Sequence, residues 1–182
     1  MTQSSDNALL KRILAGSREA CAEFVRDHHA PVYRLLVHLC RDAHLAEDLT
    51  QETFLVAWTK IRSFKAASSL STWLHTIAYR KFIDVCRQGA RSKSAQGALD
   101  DPQSRGPSPY EAALVNDESR WLYQALDRLP EPERDILVLH YLQGLSYQQM
   151  ADVLDEPSGT VKWRTSVAID RLRQELTKRS VK

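Results

Sequence analysis

Cysteine is scarce in this sequence. The three present, Cys21, Cys40 and Cys86, are odd in number and form no CxxC pair, which speaks against a disulfide framework and for a reducing compartment. Glycine is scarce too, six in 182 residues, and none falls in a phosphate-cradling loop. No apolar run approaches the roughly 20 residues that cross a bilayer. The opening Met1-Thr-Gln-Ser-Ser-Asp lacks both a basic and an apolar leader segment, so the expectation is a soluble, cytoplasmic chain without membrane insertion. No nucleophile and base pattern or catalytic carboxylate pair stands out, and the chain is read as neither an enzyme nor a cofactor carrier. A large net charge is missing as well. At +2 overall, global basicity says nothing about nucleic acid, and the location of the charges has to decide.

The charges are segregated. Between Lys60 and Lys93 stand Lys60, Arg62, Lys65, Arg80, Lys81, Arg87, Arg91 and Lys93 against the single acid Asp84. Asp42, Glu47, Asp48 and Glu52 have no Lys or Arg among them. Apolar residues recur at helical spacing almost throughout, and strand alternation is absent. Leu9, Leu10, Ile13 and Leu14 make one helix, Ala20, Phe24 and Val25 a second after a cap at Ser17, and Val32, Leu35, Leu36 and Leu39 a third past Pro31. Further helices are predicted from about Leu45 to Ile61 and from about Ser71. Residues 89–115 carry Gly, Pro, Ser, Gln and Asp with few apolar groups and read as a flexible linker. Helices resume around Trp121 and Leu122, stop at Pro130 and restart at Pro132. The fold class is therefore all-α: two small helical domains, 1–88 and 116–182, joined by a linker.

Three constellations carry chemistry. Ser146 followed by Gln149, with Leu145 set to pack on Met150, is a capping box with a hydrophobic staple. Asp155 and Pro157 end that helix, and Ser158 or Thr160 starts the next, giving a helix-turn-helix. From Gly159 to Lys182, Lys162, Arg164, Arg171, Arg173, Lys178, Arg179 and Lys182 face only Asp170 and Glu175, which suits a groove lined by phosphates and base-edge acceptors. DNA is the first partner to consider. Second, Phe64 to Arg87 interleaves aromatics with cations around a small polar loop, the combination that unstacked bases and single-stranded backbone require. Trp73 and Phe82 also read as core residues. Third, the helix carrying Glu47, Asp48, Gln51 and Glu52 presents an acidic side to a basic partner, with Leu45, Leu49 and Val56 toward the core. Two other readings compete: a DNA-binding activator or repressor built on the C-terminal helix-turn-helix, and a metalloprotein using His38, Cys40 and His44, with His28 or His29 nearby, a set without standard ligand spacing.

The run Ala46-Glu-Asp-Leu-Thr-Gln-Glu-Thr-Phe54, then Ser71-Thr-Trp-Leu-His-Thr-Ile-Ala78 with Ile83, Asp84 and Arg87, then Leu129-Pro130 with Glu133 and Arg134, then Gly159-Thr-Val-Lys162 and Arg171-Leu-Arg173 closely resembles the extracytoplasmic-function sigma factors of bacterial RNA polymerase. The resemblance covers nearly the whole chain. It implies sigma region 2 followed by region 4, and promoter DNA, core polymerase and an anti-sigma factor as partners. By position, Glu47, Asp48, Gln51, Glu52 and Phe54 would bind the clamp helices of the largest polymerase subunit. Lys65, Ser68, Ser69, Ser71 and Trp73 would form or flank a pocket for a flipped base of the minus-ten element, with Tyr79, Arg80, Lys81 and Arg87 touching DNA. Ser158, Thr160, Lys162, Trp163, Arg164 and Arg171 would read the minus-thirty-five element, Arg164 foremost. No metal site is implied. The chain departs from the family's usual residues at Arg80, where Asn is frequent, at Trp163 and Val167, where Ser and Arg are common, and at Asp155 and Glu156, which stand for a turn Gly and an apolar residue.

Overall fold

The computed structural model describes residues 3–65, 68–95, 122 and 124–177. Every regular element among the described residues is helical, as the periodicity predicts. The chain divides into two compact units, Met1–Gly106 and Pro107–Lys182.

The first unit is built from α1 (Gln3–Leu14), α2 (Arg18–Cys40), α3 (Ala43–Lys60), a 3₁₀ turn (Ile61–Ser63) and α4 (Leu70–Ala95). Gly16, at φ 85°, turns the chain after α1, and the Ser17 hydroxyl accepts the Ala20 N–H at 3.2 Å to start α2. The break predicted at Pro31 is absent: α2 runs through it for 23 residues. A proline there removes a hydrogen bond and costs about 3 kcal/mol. That cost is offset by the buried side chains on both sides of it, Phe24 and His28 before, Val32, Leu35, Leu36 and Leu39 after. Arg41 closes α2 in the left-handed conformation, and the Asp42 carboxylate accepts the N–H groups of His44 and Leu45 at 3.0 and 3.1 Å to open α3. The core gathers Phe24, Leu35, Leu36, Leu39, Leu49, Leu70 and Leu74, all fully buried. Phe24 meets Phe54 and Trp58 edge-on at 5.9 and 5.3 Å between ring centroids.

Helix α4 also outruns its predicted end. It continues to Ala95, so the first residues assigned to the linker are helical. Gly89 alone costs about 1 kcal/mol in a helix, too little to stop one supported by packing upstream. The remainder of that linker lies outside the described residues, as do Ala66, Ala67, Trp121 and Lys178.

In the second unit residues 124–127 are helical, with Ala125, Leu126 and Leu129 buried. Pro130 precedes α5 (Glu131–Leu137), which passes into a π-helical turn (Val138–Leu142) that periodicity does not announce. Helices α6 (Tyr147–Leu154) and α7 (Ser158–Thr177) follow. The capping box is present as read: the Ser146 hydroxyl accepts the Gln149 N–H at 3.3 Å and the Gln149 side chain accepts the Ser146 N–H at 2.9 Å. Leu145 and Met150 are both buried. Asp155 sits at φ 57°, ψ 44°, the left-handed conformation that Asp adopts more readily than most side chains. Ile136, Leu137, Leu139, Met150, Val153, Val161 and Ala168 belong to the core of this unit.

Candidate polymerase and nucleic-acid interfaces

Glu47, Asp48, Gln51 and Glu52 are all exposed on α3, on one side of the helix. The sequence reading missed Leu55, which lies seven, four and three residues on from Asp48, Gln51 and Glu52 and is 65% exposed. Helical spacing alone puts it on that face. The result is an acidic surface with an apolar centre, the composition that binds a basic helix by charge and burial together. Phe54 does not belong to this surface. It is buried, stacked on His29 at 6.0 Å and packed on Phe24, because its position points it across α2; its part is to hold α3 in place.

The polar loop and the start of α4 are ordered by capping. Ser69 accepts the Thr72 N–H at 3.1 Å and meets the Thr72 hydroxyl at 2.9 Å, so its hydroxyl is engaged within the helix start. The Leu70 N–H donates to the Asp6 carboxylate of α1 at 2.9 Å. Trp73 is half-buried against Phe64, with ring centroids 5.0 Å apart, and Ser68 and Ser71 are likewise half-buried while Lys65 is exposed. Farther along α4, Tyr79 lies against the buried Phe82 at 6.3 Å. Arg80 and Arg87 are exposed. Lys81 is instead bonded to Glu52 of α3 at 2.8 Å, joining a residue assigned to DNA with one assigned to polymerase. Within the same unit His28 and His75 are buried, and His28 Nε2 and both ring nitrogens of His75 have no hydrogen-bond partner. Burial pushes the His75 imidazole down to about 4, with the neighbouring His28 acting in the same direction. His28 is lowered by burial against the opposing pull of Asp6 and Asp27.

On α7, Gly159, Lys162, Trp163, Ser166 and Asp170 form one exposed stripe, joined by Ser158 and Thr160 at the helix start. Trp163 is 66% exposed, its indole presented largely to solvent. Arg164, the residue first expected to read bases, is turned inward. Its guanidinium pairs with Glu156 and donates to the Pro132 carbonyl at 3.2 Å. Glu156, the departure from an apolar residue, thus has a use: it anchors Arg164 and ties α7 to the turn before it. Arg171 is similarly engaged, with Glu133 of α5 at 2.5 Å. Sequence offers no signal for either pairing, since Glu133 is 38 residues from Arg171. Among the described residues no cluster of three or more His, Cys, Asp or Glu could hold a metal ion, and His38 bonds the Arg34 carbonyl at 2.6 Å. No helix among them is long and apolar enough to cross a membrane.

Both units are similar to known proteins. Residues 24–92 match the family model for Sigma-70 region 2, and residues 119–172 that for Sigma-70, region 4; α1 lies ahead of the matched segments. The chain is 30% identical to the RNA polymerase sigma-H factor of Pseudomonas aeruginosa, covering 97% of each. It is also 30% identical to the ECF RNA polymerase sigma factor SigW of Bacillus subtilis, over 92% of this chain and 94% of that one. Among solved structures it is similar to the sigma factor RpoE in complex with the anti-sigma factor NepR from Bartonella quintana, with a TM-score of 0.73 and 27% identity over 86% of this chain and 96% of that one. Two helical units matched in order, and relatives matched over nearly their full length, lead to one conclusion: the chain belongs to the extracytoplasmic-function sigma factors of RNA polymerase.

Proposed function

We propose that this sigma factor divides its work among three surfaces. The α3 face of Glu47, Asp48, Gln51, Glu52 and Leu55 docks on the clamp helices of core polymerase. The loop from Lys65 to Ser71, with Arg80 and Arg87 beyond it, captures a flipped minus-ten base and the melted strand. The α7 stripe reads the minus-thirty-five element through Thr160, Lys162 and Trp163, whose indole suits thymine methyl groups, while Arg164 and Arg171 hold the helix from behind. The observation that carries the reading is the α3 face, an exposed apolar side chain one to two turns beyond three acids, on a helix with no Lys or Arg before Lys60. A DNA-binding activator has no use for it. The chain works in the cytoplasm and contributes no catalysis of its own; polymerase supplies the chemistry.

Run-off transcription with purified core enzyme, on the promoter of the protein's own operon, tests this. Initiation at a defined start without another sigma factor is expected. A requirement for a second sigma factor would make the chain an activator. The complex of RpoE with NepR supports the further reading that an anti-sigma factor covers the polymerase and DNA faces until a signal arrives. Co-purification from cells should retrieve such a partner; free activity without one would place control at expression instead.

A further inference from the structure

The N-terminal helix reaches the base-capture loop. Asp6 is 6% exposed, and its carboxylate accepts the Leu70 N–H at 2.9 Å across 64 residues of sequence. That amide is the first of α4, the point where the loop turns into helix. A helix start leaves four N–H groups without internal partners. Here Ser69 takes the N–H of Thr72 from within the loop, and Asp6 takes that of Leu70 from another element. Burying a carboxylate is costly unless it is bonded, and a local Ser or Asp would cap α4 without bringing a charge through the core. Drawing the acceptor from α1 instead fixes the loop's exit relative to a second helix. The fully buried Leu70 side chain pins the same point from the core.

We propose that Asp6 is a positioning residue for promoter melting: it holds the loop end at Leu70 so that Ser68, Ser69 and Ser71 keep one position toward the flipped minus-ten base. The inference rests on the reading of the Lys65 to Ser71 loop given above. The experiment uses the full chain with core polymerase. The probes are single-stranded non-template oligonucleotides taken from promoters selected by the wild-type holoenzyme from a randomised library, each minus-ten position replaced in turn by the other bases or an abasic site. Wild type should distinguish the preferred base from the abasic site at one position by about tenfold or more. Asp6→Ala should shrink that ratio to about twofold while leaving affinity for the abasic probe and for core unchanged, and Asp6→Asn, which keeps an acceptor oxygen, should restore it. Amide hydrogen exchange should show Leu70 losing protection in the Ala variant only. If Asp6→Ala does not fold, Asp6→Glu, which displaces the carboxylate by one methylene, replaces it with the same expected loss of discrimination. Equal weakening on every probe with discrimination intact would reduce Asp6 to a structural role and overturn the inference. Exchanging residues 65–71 for the corresponding loop of a relative separates the two claims. A shifted base preference there, with discrimination intact in the Asp6 variant, sinks the inference alone; an unmoved preference sinks the loop reading and the inference with it.

Discussion

Arg164 and Trp163 are neighbours in sequence with opposite fates. Arg164 is held by Glu156 and the Pro132 carbonyl, so Arg164→Ala should destabilise the second unit by about 1 to 2 kcal/mol by leaving a half-buried carboxylate unpartnered. Its effect on promoter preference should be small. Trp163→Ala should leave stability within about 0.5 kcal/mol, since the side chain is exposed, and relax preference at one minus-thirty-five position by about 1 kcal/mol. Thermal unfolding together with a promoter library separates the two; relaxed preference in Arg164→Ala and none in Trp163→Ala would reverse the assignment. Sequence could rank neither, because a charge reads alike whether it meets phosphate or a distant carboxylate. His75 gives the second prediction at this scale. It stays neutral when folded down to about pH 4, whereas the unfolded chain takes up its proton near 6.5. The unfolded state therefore binds more protons as pH falls below 6.5, and stability of the first unit falls with it, by about 2 kcal/mol between pH 7 and pH 5. Denaturant unfolding at the two pH values checks this, and His75→Leu should flatten the difference.

The helices themselves were largely legible. Ser17 and Ser146 cap the elements they precede, as read, while the Asp42 cap starts α3 two residues before the expected Leu45, and buried positions recur at the helical period. What sequence missed has a common cause: tertiary burial overrides a local stop signal, as at Pro31 inside α2 and Gly89 inside α4. The candidate site was legible in part. The acidic face of α3 followed from spacing, yet Phe54 was placed on it and Leu55 left off, although Leu55 shares the helical register of Asp48, Gln51 and Glu52; the covering of Phe54 by α2 is what sequence does not show. That face yields the prediction for this scale. Asp48→Lys should weaken core binding about tenfold or more, mainly through slower association and at low salt, with helicity intact. Unchanged affinity in a core pull-down would remove α3 from the interface.

Two compact units on one chain set the behaviour of the whole molecule. Each recognises one promoter element under the proposed division, and connecting them makes the second contact intramolecular, a gain commonly of 10² to 10⁴ in avidity. Residues 1–95 and 116–182 supplied as separate chains should each keep a folded helical signature but initiate transcription far less efficiently than the intact protein at equal concentration. Undiminished initiation from the mixture would mean that the connection contributes nothing to promoter recognition.

The Lys81 to Glu52 ion pair has a thermodynamic corollary. Glu52 lies on the surface assigned to polymerase and Lys81 on the helix assigned to DNA, so a partner that captures one side chain releases the other. Core enzyme engaging Glu52 returns a free ammonium to the DNA side, and promoter DNA engaging Lys81 returns a free carboxylate to the polymerase side. Linkage makes the two effects equal. Because the pair is exposed, the coupling is bounded at about 1 kcal/mol, roughly a fivefold mutual gain in affinity, and it fades as salt rises. Under the proposed division of surfaces, this one bridge would act as a weak cooperative switch, biasing the protein to grip the promoter harder once polymerase is already in hand.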